Sequence, residues 1–341
     1  MTSQYTPPQN IHDILPMLMF EAVYGRQPTE IEVDKLRSYA EVMGATTLPK
    51  FLRATVTSFD RFNHPTPVSV RFTENDLGKV TIIESEEKLV LDRHDFSVSN
   101  TILGTGNYEN HLRRFISAIV KPGMVCVDIG ENVGFHAFLM RELTGPTGHI
   151  YAFEPNSENC RMLMLSKKEN LADNFTVLPV ALSDRLGAIA FSPAVGSNGS
   201  FMYGVDGDPI LHPNCTIVPT ARMDDLLKVE RLDFIKIDVE GAEPLALAGG
   251  EDLITRHRPV ITSEFSAAMI ELVSGTNGVD YLARRMRDNY RAFTLGCSGP
   301  LEEITDAEIF MRNWHDKFRI EDIAFVPCEL DFDFEAYSAR A

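Results

Sequence analysis

This chain is short of the features that nucleic-acid, membrane and nucleoside-triphosphate proteins rely on. Cations are in deficit: 32 Lys and Arg face 49 Asp and Glu, a formal charge of −17 over 341 residues. Such a surface repels phosphodiester backbones and anionic headgroups, which weighs against a partner made of nucleic acid. No apolar run approaches the roughly 20 residues of a membrane helix, and the start, MTSQYTPPQN, has no basic or apolar leader pattern. The expectation is a cytoplasmic protein with no membrane span. Cysteines are few, and Cys126, Cys160, Cys215, Cys297 and Cys328 form no C-x-x-C pair, so they read as reduced core thiols. The nine histidines show no H-x-x-x-H spacing, so no dedicated metal site is readable. Small-molecule or glycan acceptors become the favoured partners.

What is present starts at VCVDIGENVGFHAFLM, residues 125–140, an apolar strand that ends in Asp128-x-Gly130 and turns directly into a helix. The loop Gly130-Glu131-Asn132-Val133-Gly134 holds no cation, so it is not a P-loop, and it lacks the middle and third glycines of the dinucleotide fingerprint. The next apolar run, HIYAFEPN, carries Glu154, 20 residues past Gly134, followed by Pro155 and Asn156. An acid at the tip of the second strand of a βαβ unit, at about that spacing, accepts hydrogen bonds from ribose hydroxyls. Two further acids in the turn, Asp128 and Glu131, suit a cation better than a diphosphate. S-adenosyl-L-methionine, with a sulfonium, an ammonium and a ribose but no phosphate, fits these constraints. An ordinary Asp-Gly turn is the plain alternative, and an NAD-dependent oxidoreductase on the same βαβ unit is the chemical one.

Along the chain, residues 1–63 read as a helical module. Thr29-x-x-Glu32 forms a capping box, and Ile14, Leu15, Leu18 and Val23 fall at helical spacing. It reads as a docking appendage, with a substrate cap or the interaction surface of a non-catalytic scaffold as alternatives. Residues 64–99 alternate as VSVRF, KVTIIES and KLVLD, an antiparallel β-ribbon. From residue 100 to 341, strand and helix alternate, which predicts an α/β domain with a doubly wound, mostly parallel sheet. Within it we expect a strand from Phe175 to Ala181 and one continuous helix from Pro244 to Arg256. The stretch from Ser192 to Pro213, rich in glycine, proline and asparagine, reads as either an active-site lid or a surface insertion.

The second strong signal is LDFIKIDVEGAEPLALAGG, residues 232–250. If the strand runs on, Lys236, Asp238 and Glu240 share one face, because strand side chains alternate with period two. Central parallel strands are normally apolar on both faces, so ionisable groups are cheapest at the carboxyl end, where open α/β sheets bind ligands. Glu243, at the start of the next helix, reads as a charge favoured by the dipole.

Five ordered motifs, CVDIGENVG, YAFEPN, VALSD, IKIDVEGAE and PVITSEF, resemble the FkbM family of S-adenosylmethionine-dependent methyltransferases, from about Asn100 to Phe265. The resemblance implies a Rossmann-like fold of the class I methyltransferase type and O-methylation of a hydroxyl on a sugar or secondary metabolite. It implies that Asp128 and Gly130 hold the methionine end of the cofactor, with Glu131, Asn132 and Gly134 completing the turn. Glu154, with Pro155 and Asn156, takes the ribose, and Ala181, Leu182, Ser183 and Asp184 take the adenine edge. Glu109, beside Tyr108, also matches a family element, or is a first-turn charge. Where the family usually has a small residue, this chain has Glu131. For catalysis, Asp238 is placed to orient or deprotonate the acceptor and Lys236 to stabilise a developing alkoxide. Glu240 and Glu264 assist or coordinate a divalent ion. His136 reads as a helix residue packed beneath the cofactor, with a proton acceptor as the alternative.

Overall fold

The computed structural model describes residues 68–72, 77–82, 87–92, 95, 98–193, 199–202, 216–296, 301–315, 319–332 and 337. The N-terminal helices expected within residues 14–59 lie outside the described residues. Strands β1 (Val68–Phe72), β2 (Leu77–Ile82) and β3 (Lys88–Asp92) form the antiparallel ribbon read from the alternation. The ribbon is tied to the rest of the chain through the helix Ser157–Glu169. Val90 N–H donates to Ser166 Oγ at 2.8 Å, Lys88 N–H donates to Asn170 Oδ1 at 2.9 Å, and Asn170 Nδ2 returns a bond to Lys88 O at 2.7 Å. Side chains thus satisfy backbone groups on one edge of β3, and Glu87 pairs with Arg141 beside it.

The main sheet has eight strands: β4 (Val125–Ile129), β5 (His149–Phe153), β6 (Phe175–Leu178), β11 (Phe234–Ile237), β12 (Val260–Phe265), β13 (Tyr290–Thr294), β14 (Glu302–Ile304) and β15 (Glu321–Pro327). Their order is β14-β13-β15-β12-β11-β4-β5-β6. The strands from β12 through β11, β4 and β5 to β6 run parallel, while β15 runs antiparallel between β12 and β13. The chain therefore winds outward from β4 through β5 to β6, then returns to start again on the other side of β4. That reversal between β4 and β11 is the point where such sheets open a ligand crevice at their carboxyl edge.

Alternation sorts the strands into two cores. Val127, Ile129, Ile235, Ile237, Ile261 and Phe325 face one layer of helices. Cys126, Phe234, Val260 and Ala324 face the other, which includes the helices Val98–Thr105, Asn110–Ile119 and Phe135–Thr144. Phe138 stacks on Phe175 there, with ring centroids 4.6 Å apart. Among the described residues, no helix is long and apolar enough to cross a membrane.

Two expected elements are divided. The strand from Phe175 stops at Leu178 because Pro179 has no N–H to continue the ladder. The chain then crosses to a four-stranded sheet, where β7 (Ala181–Leu182) pairs parallel with β10 (Thr216–Ala221), beside β8 (Gly187–Pro193) and β9 (Gly199–Met202). The Ser192–Pro213 stretch supplies the end of β8 and all of β9, while residues 194–198 and 203–213 lie outside the described residues. The helix expected from Pro244 to Arg256 is two helices, Glu243–Ala248 and Glu251–His257, separated by Gly249 and Gly250. A Cβ on Gly249 would lie 2.0 Å from the backbone oxygen of Ser183, so the chain passes there too close for any side chain, whereas one on Gly250 would meet the movable end of Met223.

Candidate active site

The turn after β4 is built on a close approach. Gly130 has φ of 75°, and a Cβ there would sit 1.8 Å from the carbonyl oxygen of Asp238. Only glycine fits where the chain after β11 crosses beneath the turn. Gly130 N–H donates to Phe153 O at 2.9 Å and Asp238 N–H to Ile129 O at 3.0 Å, locking the ends of three neighbouring strands together. Gly134, with φ of 94°, begins the helix Phe135–Thr144 against Leu163 and Phe138.

The register places Asp128 of β4 directly across from Lys236 of β11. Lys236 Nζ lies 3.5 Å from Asp128 Oδ1 and 3.6 Å from Asp238 Oδ2, and donates to Gly130 O at 3.1 Å. The ammonium is buried and is held charged above its ordinary value: burial opposes it, but Asp128, Asp238 and Glu109 outweigh burial. Asp128 is fully buried, and burial pushes its carboxyl up while Lys236 pulls it down. Asp238 keeps 24% of its side chain exposed, and burial, against the pull of Lys236, takes its carboxyl to about 6.

Glu240 is not placed by strand alternation, because β11 ends at Ile237. A tight turn follows, with Glu240 at φ of 55° and Gly241 at 102°. Glu243 holds that turn: its Oε1 accepts from Val239 N–H at 2.9 Å and Gly241 N–H at 3.3 Å. It is therefore more than a charge at a helix start. The turn swings Glu240 back so that carboxylate oxygens of Asp238, Glu240 and Glu264 lie within 4.8 Å of one another, a group able to accept a cation or several hydroxyls. Burial, then Asp238 and Glu243, push the Glu240 carboxyl to about 8.

Other groups reach this cluster from the helices above. Glu109, at φ of 48° before the helix Asn110–Ile119, is buried and bonded to His136 Nε2 at 3.0 Å. It is a buried partner of His136, not an exposed first-turn charge. His111 pairs with Asp322, which lies opposite Glu264 in the β12–β15 register. Sequence reading missed this pair. Asp322 stands beside Glu321 at the start of β15, ahead of its apolar run, and nothing in the sequence links His111 to a residue so far along the chain.

On the other side of the crevice, both oxygens of Glu154 are occupied by backbone amides: Oε1 accepts from Asn156 at 2.7 Å and Oε2 from Asn132 at 2.8 Å. Burial raises this carboxyl to about 7 against those bonds. Asn156 Oδ1 caps the next helix, accepting from Glu158 N–H at 2.9 Å, so that oxygen is already engaged. A cavity of about 600 Å³ opens here, lined by Val133, Pro155, Asn156, Pro179, Phe191 and Val218 among others. Ala181, Leu182 and Ser183 are buried in and just after β7 and do not line this cavity; Asp184 is exposed and accepts from the Ser183 hydroxyl at 3.2 Å.

A sheet of this strand order, opening an acid-lined crevice at its reversal point, has the Rossmann-like architecture of class I methyltransferases. The FkbM methyltransferase domain matches residues 128–292. The 2-O-methyltransferase NoeI of Sinorhizobium fredii (strain NBRC 101917 / NGR234) is 31% identical over 171 residues, which span 44% of this chain and 67% of NoeI. The chain belongs to the FkbM methyltransferase family and is a methyltransferase. Among solved structures, the FkbM methyltransferase of Methylobacillus flagellatus KT is 16% identical with a TM-score of 0.38, covering 62% of this chain and 50% of that one. The present chain thus spans half the length of that relative. Aeropyrum pernix fibrillarin, solved with natively bound S-adenosyl-L-methionine, is 13% identical with a TM-score of 0.34, covering 76% of this chain and 99% of that one.

Proposed function

We propose that this protein is an S-adenosylmethionine-dependent O-methyltransferase whose acceptor is a hydroxyl of a sugar or glycan. The observation that carries the reading is the Lys236 ammonium held between Asp128 and Asp238 at the crevice floor, with Asp238 partly open to solvent. The donor set fits the cofactor: Asp128, Glu131 and Glu154 are three buried carboxyls near the ammonium of Lys236, an excess of acids that suits a cationic adenosine ligand. Asp128 and the Gly130–Gly134 turn would hold its amino-acid end and Glu154 its ribose. The apolar cavity beside Pro155 and Pro179 would take the adenine.

When bound, S-adenosylmethionine supplies an electrophilic methyl group. Asp238, with a carboxyl near 6, is ionised at neutral pH yet basic enough to accept a hydroxyl proton. Lys236 keeps Asp238 ionised and stabilises negative charge that develops on the acceptor oxygen. Glu240 and Glu264 present further oxygens beside Asp238, a spacing suited to hydrogen bonds from neighbouring sugar hydroxyls. NoeI is a 2-O-methyltransferase, which supports a hydroxyl acceptor.

Calorimetric titration with S-adenosylhomocysteine and with NAD, followed by incubation with S-adenosylmethionine and a panel of mono- and oligosaccharides, tests the reading. Binding of S-adenosylhomocysteine and a mass gain of one methylene on a sugar are expected. Tight NAD binding with no S-adenosylhomocysteine signal would overturn it.

A further inference from the structure

Glu131 is a second buried acid in the cofactor turn whose position the activity alone does not explain. The residue is 4% exposed, and neither carboxylate oxygen has a hydrogen-bond partner. Glu154, by contrast, is held by two backbone amides, and Asp128 faces Lys236. An ionised carboxylate with no partner in such a place is expensive, so it waits for a positive group or stays protonated. Lys236, the cation that acts on it among the described residues, is already shared between Asp128 and Asp238.

The residues on either side of Glu131 tie it between two acids. Gly130 O accepts at 3.1 Å from Lys236, which pairs with Asp128, and Asn132 N–H donates to Glu154 Oε2 at 2.8 Å. On the reading above, Asp128 serves the amino-acid end of the cofactor and Glu154 its ribose. Chemically, the group between those two ends is the sulfur. That sulfur is a cation before methyl transfer and neutral afterwards, whereas the ammonium and ribose are the same in both species.

We propose that Glu131 is the residue that distinguishes S-adenosylmethionine from S-adenosylhomocysteine, its carboxylate facing the sulfonium charge and losing that partner once the methyl group has left. The inference rests on the cofactor reading and adds a consequence to it: the spent product is held less tightly than the reactant. Burial, reinforced by Asp128 and Glu154, pushes the Glu131 carboxyl well above the ordinary range, with Lys236 opposing. A positive neighbour favours the ionised form of this carboxyl, and S-adenosylhomocysteine, whose sulfur is neutral, offers none there.

Calorimetry of the full chain at pH 7, in two buffers of different ionisation enthalpy, reads this directly. The wild type should bind S-adenosylmethionine roughly tenfold or more tightly than S-adenosylhomocysteine and release more protons with the former than with the latter. Glu131→Gln, similar in shape, should weaken S-adenosylmethionine about tenfold, change S-adenosylhomocysteine by less than about twofold, and remove the difference in proton release between them. Glu131→Asp, which keeps the charge, should retain the preference in part. Equal weakening of both ligands by Glu131→Gln would overturn the proposal and assign Glu131 to the shared ammonium or to the fold; no change in either would overturn it as well. The wild-type proton count needs no variant, so a Glu131→Gln protein that fails to fold leaves the proposal exposed to refutation. If neither ligand binds the wild type, the cofactor reading itself fails and the proposal with it.

Discussion

Asp238→Asn separates a chemical role for the acid cluster from mere charge balance. The Asp238 carboxyl moves from an ordinary 3.8 to about 6, raised by burial, lowered by Lys236, and raised again by Glu109, Asp322 and Asp128. A carboxyl whose folded value lies above its unfolded value is neutral in both states at low pH and costs nothing there. As pH rises through the unfolded value toward the folded one, the folded state is progressively penalised, by up to ~2–3 kcal/mol above pH 6. Asparagine removes that penalty, and Lys236 retains Asp128 at 3.5 Å. At pH 7 to 8 the variant should therefore melt at or above the wild-type temperature and bind S-adenosylhomocysteine nearly unchanged. Single-turnover methyl transfer, however, should fall by ~10² to 10⁴, the usual worth of a positioned base. Wild-type transfer should also decline about tenfold per pH unit below about pH 6, and that slope should vanish in the variant. A variant that loses several kcal/mol of stability while its surviving molecules turn over normally would refute the reasoning and leave Asp238 as the counter-ion of Lys236.

Glu154→Ala removes acceptors for the proposed ribose and for the amides of Asn132 and Asn156, so S-adenosylhomocysteine should bind more weakly by about 1.5–3 kcal/mol in calorimetry. An unchanged affinity would remove Glu154 from the cofactor site. Gly130→Ala places a methyl against Asp238 O in a left-handed backbone and should lower stability in denaturant melts by about 2–4 kcal/mol, or prevent folding. An alanine variant of native stability would contradict the close approach. Treatment with EDTA should leave methyl transfer intact. Loss of activity restored by Mg²⁺ or Mn²⁺ would instead make Asp238, Glu240 and Glu264 metal ligands.

Local chemistry made part of this molecule legible from the sequence alone. The β4 turn could be read because apolar alternation, Asp128, Gly130 and a following helix are consecutive, and the acid at the tip of β5 because a βαβ unit sets its spacing. The ribbon from Val68 to Asp92 was legible for the same reason, its alternation being local. Breaks were less visible: Pro179 and the Gly249–Gly250 pair were on the page, but whether they end an element or merely bend it depends on what lies beside them, here Ser183, Met223 and the small sheet. Tertiary structure alone decided the pairs His111–Asp322 and Glu109–His136, which form only where helices descend onto the strand ends. It also decided Glu240, whose carboxylate joins Asp238 and Glu264 through a left-handed turn held by Glu243 rather than through strand alternation. Period-two and helical patterns specify which side chains share a face of one element; which charges then meet across elements follows from strand order and from the burial that leaves each of them in need of a partner.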